Sequence, residues 1–147
     1  MLKELLITDN KKQFTFNASS FDELVDQIAK ELSDEYVKGS YAKAVRAREQ
    51  EFPTGLKTQN LNIGIPHTDP EHIVKPFVYF AKNESKIAIR QMGDNEPMES
   101  EYFFFLGIND SKSQVGLLSE LMELFMNEDF VENLTKAKDI EEIINLL

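Results

Sequence analysis

The chain has 147 residues, a formal net charge of −10 and no cysteine. That length suits one domain, which buries enough surface to fold without a disulfide or metal staple. Disulfides, thiolate metal sites and cysteine nucleophiles are excluded, and the acidity argues against nucleic acid or anionic membrane, which need clustered Lys and Arg. We therefore expect a single unit over residues 1–147. No apolar run approaches the about 20 residues that span a bilayer. The stretch Met1 to Ile7 is short and holds Glu4, unlike a signal peptide. The expectation is a soluble, cytoplasmic protein without direct membrane insertion.

In chain order, residues 2–8 and 12–17 read as two short strands joined at the turn-prone Asp9-Asn10-Lys11. Phe14, Thr15 and Phe16 give the second its β character. Ser20 and Glu23 form a capping box that opens a helix over 21–33. Phe21, Leu24, Val25, Ile28 and Leu32 are its apolar stripe. A second helix over 40–51 runs through Tyr41, Ala44 and Val45, and Pro53 and Gly55 end it. Arg46 and Arg48 occupy its last turns, where cations suit the helix dipole. Leu61 to Ile65 alternates like a strand, Pro66 stops it, and His67-Thr68-Asp69-Pro70 is a loop.

Residues 76–81 and 87–90 read as further strands. Tyr102 to Ile108 is the most apolar segment, which predicts a central strand buried on both faces. An amphipathic helix follows over 113–126, with Val115, Leu118, Leu121, Met122 and Phe125 inward. Short helices over 128–134 and 138–146 finish the chain, the last capped by Asp139. The predicted class is α/β: one mixed β-sheet flanked by helices.

The chain holds two histidines. His67 directly follows a predicted strand, and strand ends are where α/β folds place ligands. Neutral imidazole is both nucleophile and leaving group near physiological pH, which suits a phosphoryl group. Arg48 offers a planar fork that matches two phosphate oxygens. Thr54, with Gly55, offers a hydroxyl and a backbone N–H to an oxyanion. Each also reads as an ordinary loop histidine, helix-end arginine or turn, and position alone favours that plainer reading.

His67, Asp69, Glu71 and His72 are crowded in sequence but match neither a helical His pair nor zinc-ribbon spacing. We expect no metal there. No Gly-x-Ser-x-Gly elbow and no phosphate-binding glycine loop occur, so no nucleotide is implied. Phe103 to Phe105 reads as core.

Together, Arg48-Glu49-Gln50-Glu51-Phe52-Pro53-Thr54-Gly55-Leu56 and Ile63-Gly64-Ile65-Pro66-His67-Thr68-Asp69 resemble the enzyme IIA domain of the phosphoenolpyruvate-dependent sugar phosphotransferase system, fructose/mannitol superfamily. The resemblance covers nearly the whole chain. It implies that His67 is phosphorylated by the histidine phosphocarrier protein and hands the group to a cysteine of enzyme IIB, with Arg48 holding the phosphoryl oxygens. It implies neither metal nor other cofactor.

Two positions depart from the pattern. Gly64 replaces the usual alanine, a small-for-small change expected to cost little. Gln114 stands where many members carry a second active-site histidine; its amide can still donate to a phosphoryl oxygen but cannot carry charge. Gln114 and the Glu-Phe-Pro-Thr-Gly wording resemble the galactitol-type branch, which favours a polyol. Two rivals are a regulatory, nitrogen-type module that binds proteins according to phosphorylation state and, distantly, a metal-dependent hydrolase using His67, Asp69 and His72.

Overall fold

The computed structural model describes residues 1–9 and 12–147. The elements are α1 (Leu2–Leu5), β1 (Thr15–Phe16), α2 (Phe21–Tyr36), α3 (Tyr41–Glu51), β2 (Gly55–Lys57), β3 (Asn62–Gly64), a 3-10 turn at Pro70–His72, β4 (Phe77–Arg90), β5 (Pro97–Gly107), α4 (Ser111–Phe125), α5 (Glu128–Lys136) and α6 (Ile140–Asn145). One five-stranded sheet has the order β1-β4-β5-β3-β2. β4 and β5 pair antiparallel, β5 and β3 parallel, β3 and β2 antiparallel, and β1 and β4 parallel. This is the mixed, helix-flanked α/β sheet expected from sequence.

The helix starts follow the caps. Ser20 Oγ accepts from the Glu23 N–H at 3.1 Å, and Asp139 Oδ1 accepts from the Glu142 N–H at 2.9 Å. Asp110 and Asn127 cap α4 and α5 in the same way. Ser33, where the periodic stripe of α2 ends, has φ 56° and breaks the regular helix before its last turn.

β5 alternates its side chains across the sheet. Phe103 and Phe105 pack with Phe77, Tyr79 and the buried stripes of α2 and α3. Tyr102, Phe104 and Leu106 pack on the other face with Val78, Phe80 and α4 to α6. Phe103 to Leu106 are wholly buried, as a strand covered on both faces requires. Phe104 links layers, its ring 4.9 Å from that of Phe80 and 5.4 Å from that of Phe125.

Several expectations are corrected. Within residues 2–8, Leu2–Leu5 form one helical turn rather than a strand. Leu2 and Leu6, four apart, both bury against the α4 side of the sheet, and only Leu6 bridges to β4, at Val78. The expected strand over 12–17 shrinks to Thr15–Phe16, and part of the turn before it, Asn10 and Lys11, lies outside the described residues. The segments 76–81 and 87–90 belong to a single strand, β4, whose register shifts between Lys82 and Ile87. The polar run there mimics a turn, but Asn83 is buried and ties the strand to Ala18. Its amide Oδ1 accepts from the Ala18 N–H at 2.8 Å and its Nδ2 donates to the Ala18 carbonyl at 3.0 Å. On α4, Val115 and Met122 face outward and Leu117 joins Leu121 and Phe125 inside. Among the described residues no helix is long and apolar enough to cross a membrane.

Gly64 is less exchangeable than its size suggests. A Cβ built there lies 2.7 Å from Cδ1 of Phe103, its partner across the parallel ladder. That ring is wholly buried and cannot swing away freely. Gly64→Ala is therefore expected to cost about 1–3 kcal/mol through overpacking, read as a lower urea midpoint at unchanged m-value.

Candidate active site

β3 delivers Ile65, Pro66 and His67 to one end of the sheet. Pro66 has no N–H to continue a ladder, but its carbonyl accepts from Leu106 N–H at 3.0 Å. That bond holds the start of the loop beside the C-terminal end of β5. His67 and Thr68 are consequently buried rather than loosely exposed, His67 with 5% of its surface accessible. The loop is thus more enclosed than an ordinary surface turn.

The His67 ring is oriented by its own backbone. Nδ1 lies 2.8 Å from the Ile65 carbonyl oxygen. A carbonyl only accepts, so Nδ1 carries the proton and Nε2 keeps its lone pair. Burial is the main reason that the imidazole is less basic than usual, and the Arg48 charge adds to it; the Ile65 bond and the Asp69 carboxylate act in the opposite sense. A neutral ring with one bare nitrogen is a nucleophile.

Arg48 reaches the same end of the sheet from the last turn of α3. Its guanidinium lies 5.4 Å over the Phe52 ring, and Nη1 is 4.0 Å from Asp69 Oδ1. Its Nε is buried without a hydrogen-bond partner among the described residues. Arg48 is therefore held near His67 by stacking and a loose ion pair, with donor capacity to spare. Gln114, in the first turn of α4, donates Nε2–H to the Thr68 carbonyl at 3.0 Å. An amide has two N–H bonds, so one remains for another acceptor.

Thr54 is placed differently from the expectation. Its N–H donates to Glu49 Oε2 at 2.9 Å, and its hydroxyl donates to Glu49 Oε1 at 2.7 Å. The hydroxyl expected to serve an oxyanion is thus committed to Glu49, together with the N–H of the same residue. Thr54 Oγ1 in turn accepts from the Ile65 N–H at 3.2 Å. Glu49 is the residue that sequence reasoning misses. It is buried, which raises its carboxyl pKa, while the two Thr54 donors and the charges of Arg90 and Arg48 oppose that rise. The available signal is a carboxylate next to Arg48, just ahead of a Pro-Thr-Gly turn.

His72 stands apart from this group. Its Nδ1 and Ser40 Oγ are 2.8 Å apart, tying the loop to the start of α3. Among the described residues no group of three or more His, Asp and Glu side chains gathers as metal ligands would.

The lowered basicity of His67 has a pH signature. Its NMR titration midpoint is expected below the usual about 6.5. Between that value and the folded midpoint the unfolded chain binds more protons than the folded one. The His67 contribution to stability is therefore complete above about pH 6.5 and is lost as the pH falls through the folded midpoint. His67→Gln, followed by urea unfolding from pH 5 to 8, is expected to flatten that part of the profile.

Comparison with known proteins places the chain in a family. Residues 6–147 match the model of the phosphoenolpyruvate-dependent sugar phosphotransferase system, EIIA 2. The galactitol-specific EIIA component of the phosphotransferase system of Escherichia coli (strain K12) is 28% identical over 113 residues, covering 76% of this chain and 75% of that protein. Nitrogen regulatory protein IIA-Ntr from Neisseria meningitidis has a similar fold, with TM-score 0.77 and 20% identity over 98% of this chain and 97% of that one. So has enzyme IIA of the E. coli mannitol system, solved in complex with phosphorylated enzyme IIB, with TM-score 0.69 and 20% identity over 97% of each chain. EIIA components are phosphotransferases that work through a phosphohistidine. This chain belongs to the EIIA type 2 family of the phosphoenolpyruvate-dependent sugar phosphotransferase system.

Proposed function

We propose that the chain is a sugar-uptake phosphocarrier in which Nε2 of His67 accepts a phosphoryl group from the histidine phosphocarrier protein and passes it to the cysteine of an enzyme IIB. The observation that carries this reading is the 2.8 Å bond from Nδ1–H to the Ile65 carbonyl, which leaves Nε2 as the reactive nitrogen. In the first transfer, the Nε2 lone pair forms a P–N bond as the P–N bond to the donor imidazole breaks in line. In the second, the IIB thiolate attacks the same phosphorus and the His67 ring leaves as neutral imidazole. Arg48 and the free N–H of Gln114 stabilise charge on the equatorial oxygens. No metal or nucleotide takes part.

Because His67 is recessed, each partner must present its reacting residue into the end of the sheet next to Arg48 and Gln114. The two dockings use one face in turn and are transient. A galactitol-like polyol is the preferred cargo, supported by the E. coli galactitol-specific relative. Membership of a transport system, and working in the cytoplasm where phosphoenolpyruvate is made, belong to the same reading.

The test combines the purified chain with phosphoenolpyruvate, the two general phosphotransferase proteins and labelled phosphate. An acid-labile label on His67 that moves to a galactitol-type IIB is the expected result. A label that stays on the chain in the presence of every sugar-specific IIB would favour the regulatory module. A label on any other residue would overturn the assignment.

A further inference from the structure

Arg48 and Glu49 are adjacent in the last turn of α3, so their side chains leave the helix about 100° apart. Arg48 points toward Asp69, and Glu49 turns inward to Thr54. Both Glu49 oxygens are used: Oε2 accepts the Thr54 N–H and Oε1 accepts the Thr54 hydroxyl. Since the hydroxyl proton is committed to Glu49, Thr54 Oγ1 is free to accept, and it takes the Ile65 N–H at 3.2 Å. The carbonyl of that same residue then receives Nδ1–H of His67 at 2.8 Å. Pro66, between them, is pinned through its carbonyl to Leu106. A buried series of hydrogen bonds, joined through the Ile65 backbone, therefore runs from the end of α3 through Thr54, just ahead of β2, to the ring.

We infer that Glu49 is a positioning residue: acting through Thr54 and Ile65, it fixes the Nδ1-protonated tautomer and the orientation of His67, and its effect on catalysis rests on His67 being the phosphoryl acceptor. Donor counting explains why a carboxylate is needed. Thr54 presents two donors to this group, and only an ionised carboxylate offers an acceptor to each. Glutamine has the same shape but one acceptor. Its NH2 must face either the Thr54 N–H, donor against donor, or the hydroxyl, whose proton then loses its partner. Either arrangement loosens the turn that Ile65 leans on. A buried acid is costly to ionise, and the Thr54 donors with the charges of Arg90 and Arg48 oppose that cost.

The test uses the full chain with 15N-labelled histidine and three variants: Glu49→Gln, Thr54→Val and Thr54→Ser. Long-range 1H–15N spectra report the His67 tautomer without any phosphate present. The parent protein is expected to show only the Nδ1–H form. Glu49→Gln and Thr54→Val are expected to populate the Nε2–H form and to slow single-turnover phosphoryl uptake roughly tenfold to a hundredfold. Thr54→Ser, which keeps the hydroxyl, is expected to restore both. A folded Glu49→Gln protein with an unchanged tautomer overturns the inference, and so does an unchanged tautomer in Thr54→Val should Glu49→Gln not fold. If the tautomer responds as expected while the parent takes its label elsewhere, the positioning role stands and the phosphocarrier assignment of His67 falls.

Discussion

His67→Ala is expected to take up no detectable label from the phosphorylated carrier, while His72→Ala labels as well as the parent. The chain has just these two histidines, so the pair of variants covers the acid-labile sites that imidazole can supply. Their surroundings differ. His67 is held with Nδ1 on a carbonyl, a bond that assigns the proton to Nδ1 and leaves Nε2 bare. His72 faces a serine hydroxyl through Nδ1 and an exposed carboxylate, Glu71, through Nε2 at 3.7 Å, and neither neighbour is a guanidinium. Removing the nucleophile leaves no alternative route for group transfer, so the loss is complete rather than graded. The His67→Ala protein is expected to keep the β3–β5 and β4–β5 ladders, and circular dichroism with urea unfolding verifies its fold. Acid-labile label retained by folded His67→Ala would remove the basis of the proposed function.

The helical half of the fold is legible because its signals are local. Ser20 with Glu23, and Asp139 alone, announce helix starts locally, and the structure uses both caps. The aromatic, apolar Phe103 to Leu106 run suggests a strand covered on both faces, and all four residues are wholly buried. What fails depends on distant partners. Leu2 to Leu5 forms a helical turn instead of a strand, and Leu2, with Leu6 just beyond the turn, packs on the α4 side of the sheet. The break expected inside β4 is a register shift, and Asn83 within it bonds Ala18, 65 residues away in sequence. β2 escapes notice because Pro-Thr-Gly reads as a turn, and its strand character comes from pairing with β3.

At the candidate site, residue types that carry chemistry by themselves can be singled out. An imidazole at a strand end and a guanidinium on a helix end are conspicuous, and the structure brings His67 and Arg48 to the same end of the sheet. The frame around them is not readable. A free hydroxyl in a turn suggests an oxyanion donor, which is why Thr54 reads as one. Its engagement depends on Glu49, and Glu49 looks in sequence like one more surface acid among 26 acidic residues. The cost of replacing Gly64 is likewise hidden, because the ring that blocks a methyl there belongs to another strand. Sequence therefore displays reactive groups better than it displays the contacts that aim them.

Arg48→Ala is expected to slow phosphoryl transfer onto His67 about 10²–10³-fold, the cost typical of removing one donor aimed at transition-state charge. In a folded protein the change should leave stability nearly intact. The Arg48 side chain is about a third exposed, and its ion pair with Asp69 is 4.0 Å long with Asp69 mostly in solvent. Such a pair contributes at most about 1 kcal/mol. Arg48→Lys is expected to fall between the parent and Arg48→Ala: the ammonium keeps the charge but loses the planar fork and much of the stacking on Phe52. Asp69→Asn supplies the counter-test, since it releases Arg48 from its carboxylate neighbour and is not expected to slow transfer. Rapid-quench single turnovers at increasing donor concentration separate the steps. A fall in the limiting rate places Arg48 at the transferring oxygens. A rise in the half-saturating concentration with an unchanged limiting rate would instead make it a docking residue, and phosphate stabilisation would then pass to Gln114.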